Sequence, residues 1–525
     1  MAMTKETNST PFSLNMPPSS DPMAPLKTRV DNCVDLISEL PLDLVMSNIL
    51  PRIFGQGLTV IDLDRSCSYL DVCNKWRERI ALLGNDIITF SIGSETTMTN
   101  QAYRRLRGVA PYIKTLQIGT FTDEFASTLA SQPAQLPLLT KLKVGSSPKH
   151  WMDHITMPTS IIISYPNLVH LEWISEVALT PQILSYFPNL AVLRLMTPPG
   201  SGDLDTLFKH SPKLQQLIIH DSTERSYISH VRIMNQNHGQ GLRLLSLQGF
   251  AISSDGLLKL MRKHGDTLET CILGDPWALE AISIDNTMEQ DIELKRLESL
   301  VYSAYAEPEC MQSILWIIQH APNLNAVKTT SGSGMGRVLP MLKHRPIRSI
   351  QLACPSSQQQ NEYDFIEHHV NLGMDSTLQE IKCIIDQPSS DDHWIRLIPG
   401  LKQLKSLELL FRHDLPFEYY IDIDELSELI LKLAHGCPSL ENLTLHFGRS
   451  YPVPSLEWIL PLSNHPHLKH LVFEADSGPK DMFTYLRRFQ HVGKVHVKLV
   501  TCDLDYLADM ARRIPNLVYT KKDNR

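Results

Sequence analysis

Pro438-Ser439-Leu440-Glu441-Asn442-Leu443-Thr444-Leu445 is the stretch on which the fold is read. Its last three residues run apolar, polar, apolar. In an extended strand this sends Leu443 and Leu445 to one side and Thr444 to the other. The frame recurs along the chain. Pro188-Asn189-Leu190-Ala191-Val192-Leu193-Arg194-Leu195 has the same pattern. Pro166-Asn167-Leu168, Pro212-Lys213-Leu214, Pro322-Asn323-Leu324, Pro466-His467-Leu468 and Pro515-Asn516-Leu517 open further copies. Copies lacking the proline start at Leu242, Leu268, Leu297, Leu378 and Leu404, and earlier ones at Ile113 and Leu139.

From Ile113 to Leu517 the frames recur every 27 residues or so, about the 20–29 of leucine-rich repeats. Helix-period stretches precede many of them. Asp424 to Leu433 places Leu426, Leu429, Ile430 and Leu433 on one face, and Gly436 and Pro438 then stop the helix. Cys310 to Ile318, ahead of Pro322, has the same character, and Thr180 to Leu184 is a shorter case. Each unit therefore reads helix, turn, strand. One unit cannot bury its apolar face alone, but stacked units share a core. The expected fold is α/β: a leucine-rich-repeat solenoid, a horseshoe of helix–strand repeats, over residues 83–525. Two long gaps, Leu404 to Leu440 and Pro346 to Leu378, read as surface insertions, the second built on Ser356 to Gln360. The Asn or Cys usual just past the strand is mostly missing, as in Met196-Thr197-Pro198 and His446-Phe447-Gly448.

In each frame the residue between the final two apolar positions is expected on the open, concave side. Read in order these are Gln117, Lys143, Glu172, Arg194, Ile218, Ser246, Ile272, Val301, Lys328, Gln351, Lys382, Glu408, Thr444 and Val472. The ends of this column are mainly polar, whereas Ile218, Ile272 and Val301 make its middle apolar. An apolar centre with a charged rim is how binding hot spots are arranged. The expected substrate-binding residues are Ile218, Ile272 and Val301, with Arg194 and Lys328 on the rim. Strand propensity alone is the competing account of the β-branched residues.

Ahead of the repeats, Leu40-Pro41-Leu42-Asp43-Leu44-Val45-Met46-Ser47-Asn48-Ile49-Leu50 reads as a helix with proline in its first turn. A second run ends in Leu70-Asp71-Val72-Cys73-Asn74-Lys75-Trp76. Together these resemble an F-box: the LPxxLxxxIL opening and the later LxVCxxW occur in order, over some 45 residues. Ser66-Cys67-Ser68 departs from the apolar helix expected between them. The resemblance implies a small all-α module at residues 35–82 that docks on a Skp-type adaptor and, through it, a cullin. Leu40, Pro41, Leu44, Val45 and Ile49 would lie in or near the adaptor contact, and Val72, Cys73 and Trp76 would pack the module or touch the adaptor. F-box modules followed by leucine-rich repeats serve as substrate receptors of SCF-type ubiquitin ligases. The chain is thus expected to be a non-catalytic subunit, with an unidentified target protein on the repeats. The alternatives are a plain helical cap, and with it a repeat scaffold acting without a ligase, or an enzyme built on repeats.

Composition narrows the field. The 525 residues carry 49 basic and 57 acidic side chains, a formal net charge of −8, with no basic tract. That gives no pull toward nucleic acid or anionic membrane. No apolar run reaches the length of about 18 residues that spans a bilayer. Residues 1–30 hold Pro11, Pro17, Pro18, Pro22 and Pro25 among Ser, Thr and Asn, which reads as a disordered tail rather than a secretory signal. The nine cysteines form no CxxC pair. Buried thiols in the reducing cytoplasm or nucleus are expected. Asn8-Ser9-Thr10 and Asn442-Leu443-Thr444 match the glycosylation pattern by coincidence on this reading. Gly332-Ser333-Gly334-Met335-Gly336 reads as an inter-repeat loop, and Asp391-Asp392-His393 as an acidic turn. His150, His154, His465, His467 and His470 lack the partners a metal site needs and are expected to face solvent. No cofactor is expected, and no nucleophile or acid–base motif is evident.

Overall fold

The computed structural model describes residues 40–41, 44, 60–63, 89–92, 105–106, 108–119, 136–145, 167–174, 179, 184, 187–196, 204–220, 241–248, 254–274, 292–302, 308–329, 335–354, 360–385, 394–411, 423–448, 455–479, 481–499 and 511–521. The chain divides into two compact units, residues 1–57 and 58–525. Among the described residues of the second lie eighteen short strands. They are Val60–Asp62 (β1), Thr89–Ile92 (β2), Thr115–Ile118 (β3), Lys141–Gly145 (β4), His170–Ile174 (β5), Val192–Leu195 (β6), Gln216–His220 (β7), Leu244–Gln248 (β8) and Thr270–Leu273 (β9). Ser299–Tyr302 (β10), Ala326–Thr329 (β11), Ser349–Cys354 (β12), Glu380–Ile385 (β13), Ser406–Phe411 (β14), Asn442–Phe447 (β15), His470–Ala475 (β16), Lys494–Leu499 (β17) and Leu517–Lys521 (β18) follow. Each pairs in parallel with the next in chain order, from β1 with β2 to β17 with β18. The fold is α/β, one long all-parallel sheet whose strands alternate with helices.

Period-2 alternation explains why these stretches are strands. In β15, Leu443, Leu445 and Phe447 are buried while Asn442, Thr444 and His446 are partly open. The turn before the strand has its own cause. The amide N–H of the frame leucine donates three residues back, Leu214 to Ser211 O, Leu440 to Cys437 O and Leu517 to Ile514 O. Proline stands at the second position of each turn, where its fixed φ suits a type I turn. Beyond the leucine, one carbonyl accepts two successive amides of the next repeat. Arg243 O receives Glu269 and Thr270 N–H, and Lys405 O receives Glu441 and Asn442 N–H. The same doubled bond recurs from Lys114 O to Glu441 O, knitting the strand starts together.

Between strands run Leu204–His210 (α1), Ser254–His264 (α2), Pro308–His320 (α3), Gln360–Leu372 (α4) and Ile423–Gly436 (α5), with shorter helical turns elsewhere. On α5, Leu426, Ile430 and Leu433 are buried at helical spacing, while Leu429, expected on the same face, is half-buried. The core lies between these helices and the alternate strand residues. Cys271, Cys383 and Cys437 sit in it as free thiols, and burial pushes Cys271 and Cys437 up to about 12.

The first strand among the described residues, Val60–Asp62, lies inside residues 35–82, the stretch expected to form the helical module. There β1 pairs with β2, and the buried Leu63 carbonyl accepts Arg105 Nη1 at 3.1 Å. Gln360 does not belong to an insertion. It starts α4, whose Phe365 and Ile366 enter the core. His465 is buried, not solvent-facing: its Nε2 donates to Cys437 O at 2.9 Å, and its Nδ1 accepts the His467 N–H. The missing post-strand asparagine has a substitute within Pro-Asn-Leu. Asn167 Nδ2 donates to Pro137 O, Asn323 Nδ2 to Lys295 O, and Asn516 Nδ2 to Phe489 O, each reaching the repeat before it.

Candidate interaction face

The register places the expected column in one row. Gln117, Lys143, Glu172, Arg194, Ile218, Ser246, Ile272, Val301 and Lys328 are successive Cα partners from β3 to β11. Gln351, Lys382, Glu408, Thr444 and Val472 are successive partners from β12 to β16. The row runs further than the sequence reading took it, to Asp62 and Ser91 at one end and to His496 and Val518 at the other. Strand β17 was missed because no leucine opens its frame. The alternation of Val495, Val497 and Leu499 was the available signal.

Charge is sorted along this face. Glu172 lies between Lys143 at 3.6 Å and Arg194 at 3.5 Å, one strand to either side. Two cations facing one carboxylate avoid like charges on adjacent strands. Burial, then the Lys141 charge, lowers the pKa of His170 beside this triad, while Glu172 pulls the other way. Lys382 meets Glu408 at 2.7 Å across β13 and β14. Glu474 is held between His446 and Lys498, both at 3.4 Å. His496 shares a hydrogen bond with Thr520 Oγ1 at 3.0 Å.

Strands β7 to β10 differ. Their outward positions hold Gln216, Ile218 and His220, then Leu244, Ser246 and Gln248, then Thr270 and Ile272, then Ser299 and Val301. None of these is Asp, Glu, Lys or Arg. Ile218, Ile272, Val301 and Leu244 are all half-buried. Arg194 adjoins this window through Ile218, and Lys328 adjoins it through Val301. The Arg194 side chain is 48 % exposed, and Lys328 makes no ion pair among the described residues. The outward row is less open than expected. Glu172, Ser246 and Gln351 are buried, Ser246 under Gln248, whose Nε2 donates to Ser246 Oγ at 3.2 Å. The Gln351 amide is drawn sideways onto the Thr329 carbonyl.

Of the residues implied in the adaptor contact, Leu40, Pro41 and Leu44 are described. The Leu44 N–H donates to Pro41 O at 3.1 Å, and Leu44 is 43 % exposed. Val45, Ile49, Val72, Cys73 and Trp76 lie outside the described residues, as do His150, His154 and Asp391 to His393. Among the described residues no helix is long and apolar enough to cross a membrane, and no group of three His, Cys, Asp or Glu could hold a metal ion. No family model matches this sequence, and neither does any curated protein.

Proposed function

We propose that this chain is a leucine-rich-repeat substrate receptor of an SCF-type ubiquitin ligase. Its N-terminal segment docks on a Skp-type adaptor, and the outward face of its sheet holds the target protein. It works by binding, without a cofactor, in the cytoplasm or nucleus. Holding a target beside a ligase assembled elsewhere raises effective concentration, so no residue of the chain need take part in the chemistry. The observation that carries target binding is the uncharged window on β7 to β10, apolar at Ile218, Ile272 and Val301 and bordered by Arg194 and Lys328. A half-buried apolar patch with a charged border is a surface that a protein partner can cover. Adaptor binding is supported by the LP…VC…W order in the sequence and by Leu44, an apolar side chain left open beside Pro41.

A second reading is a repeat scaffold that binds a partner without a ligase. Strand β1 favours it, because Val60–Asp62 joins the sheet from within the F-box-like stretch. Adaptor recovery separates the two. Full-length chain carrying Leu40→Ala with Pro41→Ala is expected to lose co-purifying adaptor and cullin while keeping the unfolding transition of the repeats. Equal adaptor recovery from the double variant and the parent refutes the F-box assignment. So does a parent that recovers none.

A further inference from the structure

We infer that the partner element seated on the window is an extended segment with apolar residues at its centre and an acidic residue toward each end; this rests on the reading of the sheet face as the target-binding face. The residues that decide it are six register neighbours in a line, Arg194, Ile218, Ser246, Ile272, Val301 and Lys328. Five strand steps separate the two cations, which is about 24 Å at about 4.8 Å per step. An extended segment covers that span with about seven residues.

Charge selects the ends. Arg194 is half-exposed, and its one ion pair among the described residues, to Glu172, is 3.5 Å long and reaches Nη1. Guanidinium has five donors in a planar fork, so a second carboxylate can be taken without breaking that pair. Lys328 has no ion-pair partner among the described residues and offers three donors. A basic segment would set like charges against both ends.

Apolarity selects the middle. Ile218, Ile272 and Val301 present branched side chains, and Gln248 already takes up the one hydroxyl between them. A charged central residue would lose water against these branched side chains and meet no Asp, Glu, Lys or Arg among the outward residues of β7 to β10. The same absence argues against a nucleic-acid strand, which carries a phosphate at every nucleotide and needs cations along its length.

The test is selection of random eight-residue peptides displayed on phage against immobilised full-length chain, followed by affinity measurement on the enriched peptides. The expected consensus is acidic, apolar, acidic. Ile272→Asp is expected to weaken the enriched peptides tenfold or more. Should that variant fail the circular-dichroism check of folding, Ile272→Thr keeps the strand-forming shape and is expected to weaken them severalfold. Lys328→Glu is expected to exchange the acid at one end for Lys or Arg, and Arg194→Gln to remove the preference at the other. No enrichment, a basic or patternless consensus, or undiminished binding to the folded Ile272 variant each overturns the inference. Adaptor recovery is read separately. A chain that selects acid-flanked peptides but recovers no adaptor sinks the ligase reading and keeps this one. A chain that recovers adaptor and selects no such peptides does the reverse.

Discussion

His264 and His369 are buried imidazoles inside a repeat array, and their protonation sets how the fold responds to acid. The Leu242 N–H donates to His264 Nδ1 at 3.2 Å, which keeps the ring neutral with its proton on Nε2. Burial, and then the Lys263 charge, pushes His264 down to about 4. Burial, and then His368, brings His369 to about 4 as well. Unfolded, both return to about 6.5. Above that pH neither state binds a proton, and the stabilisation from holding neutral rings is complete. As pH falls from about 6.5 to 4, the unfolded chain takes up protons that the folded chain refuses. Stability falls by up to about 3 kcal/mol per histidine across that window. Glu362 works the other way. Burial raises its pKa above 4.5, so its contribution is greatest in acid and is lost as pH rises. The expected outcome is a urea midpoint that drops between pH 7 and pH 5, and a smaller drop in His264→Asn, whose amide oxygen can still accept the Leu242 N–H. Parallel pH profiles for the two chains would remove His264 from this account.

At the scale of an element, helix α5 shows how neighbouring repeats fix each other's ends. A Cβ at Gly436 would run into the Pro399 carbonyl oxygen of the preceding unit. The Gly436 carbonyl in turn accepts Lys402 Nζ at 3.1 Å, and the Cys437 thiol donates to Ile398 O at 3.4 Å. Two effects of Gly436→Ala oppose each other. Alanine favours a helix over glycine by about 1 kcal/mol. Overpacking against backbone costs about 1–3 kcal/mol, and a carbonyl held in a helical turn cannot swing aside as a side chain can. The clash wins, and a net loss of about 1 kcal/mol is expected in equilibrium unfolding of Gly436→Ala. A variant as stable as the parent would show that α5 and the turn at Pro399 can slide apart.

For the whole molecule, the doubled backbone bonds and the strictly sequential pairing make each repeat depend on its two neighbours. A partner spanning β6 to β11 therefore meets a surface assembled from six separate parts of the chain. Its affinity should concentrate near the centre of that surface. Ile272→Asp is expected to cost about 2 kcal/mol or more of target binding, as truncation of a hot spot does. Gln117→Asp, on β3 in the same row, should cost little. Once a target is in hand, calorimetric titration of both folded variants checks this, and equal affinities would move the site off the window.

How much of this was legible in the sequence varies from residue to residue. The alternation of Leu443, Thr444 and Leu445 announced a strand and its two faces, because side-chain direction in a strand follows from local backbone geometry. The spacing of such frames therefore also yielded the outward row from Gln117 to Val472, register included. What the sequence left open was decided by neighbours distant in the chain. Strand β17 has Val492 where other frames open on leucine, and β1, though opened by Leu58, lies inside the F-box-like stretch; only their pairing with β2, β16 and β18 makes them part of the sheet. Glu172, Ser246 and Gln351 point outward yet are buried, because Lys143 and Arg194, Gln248 and the Thr329 carbonyl close over them. Direction is a property of one strand, and so it can be read from sequence; exposure is a property of several packed together, and only the tertiary structure decides it.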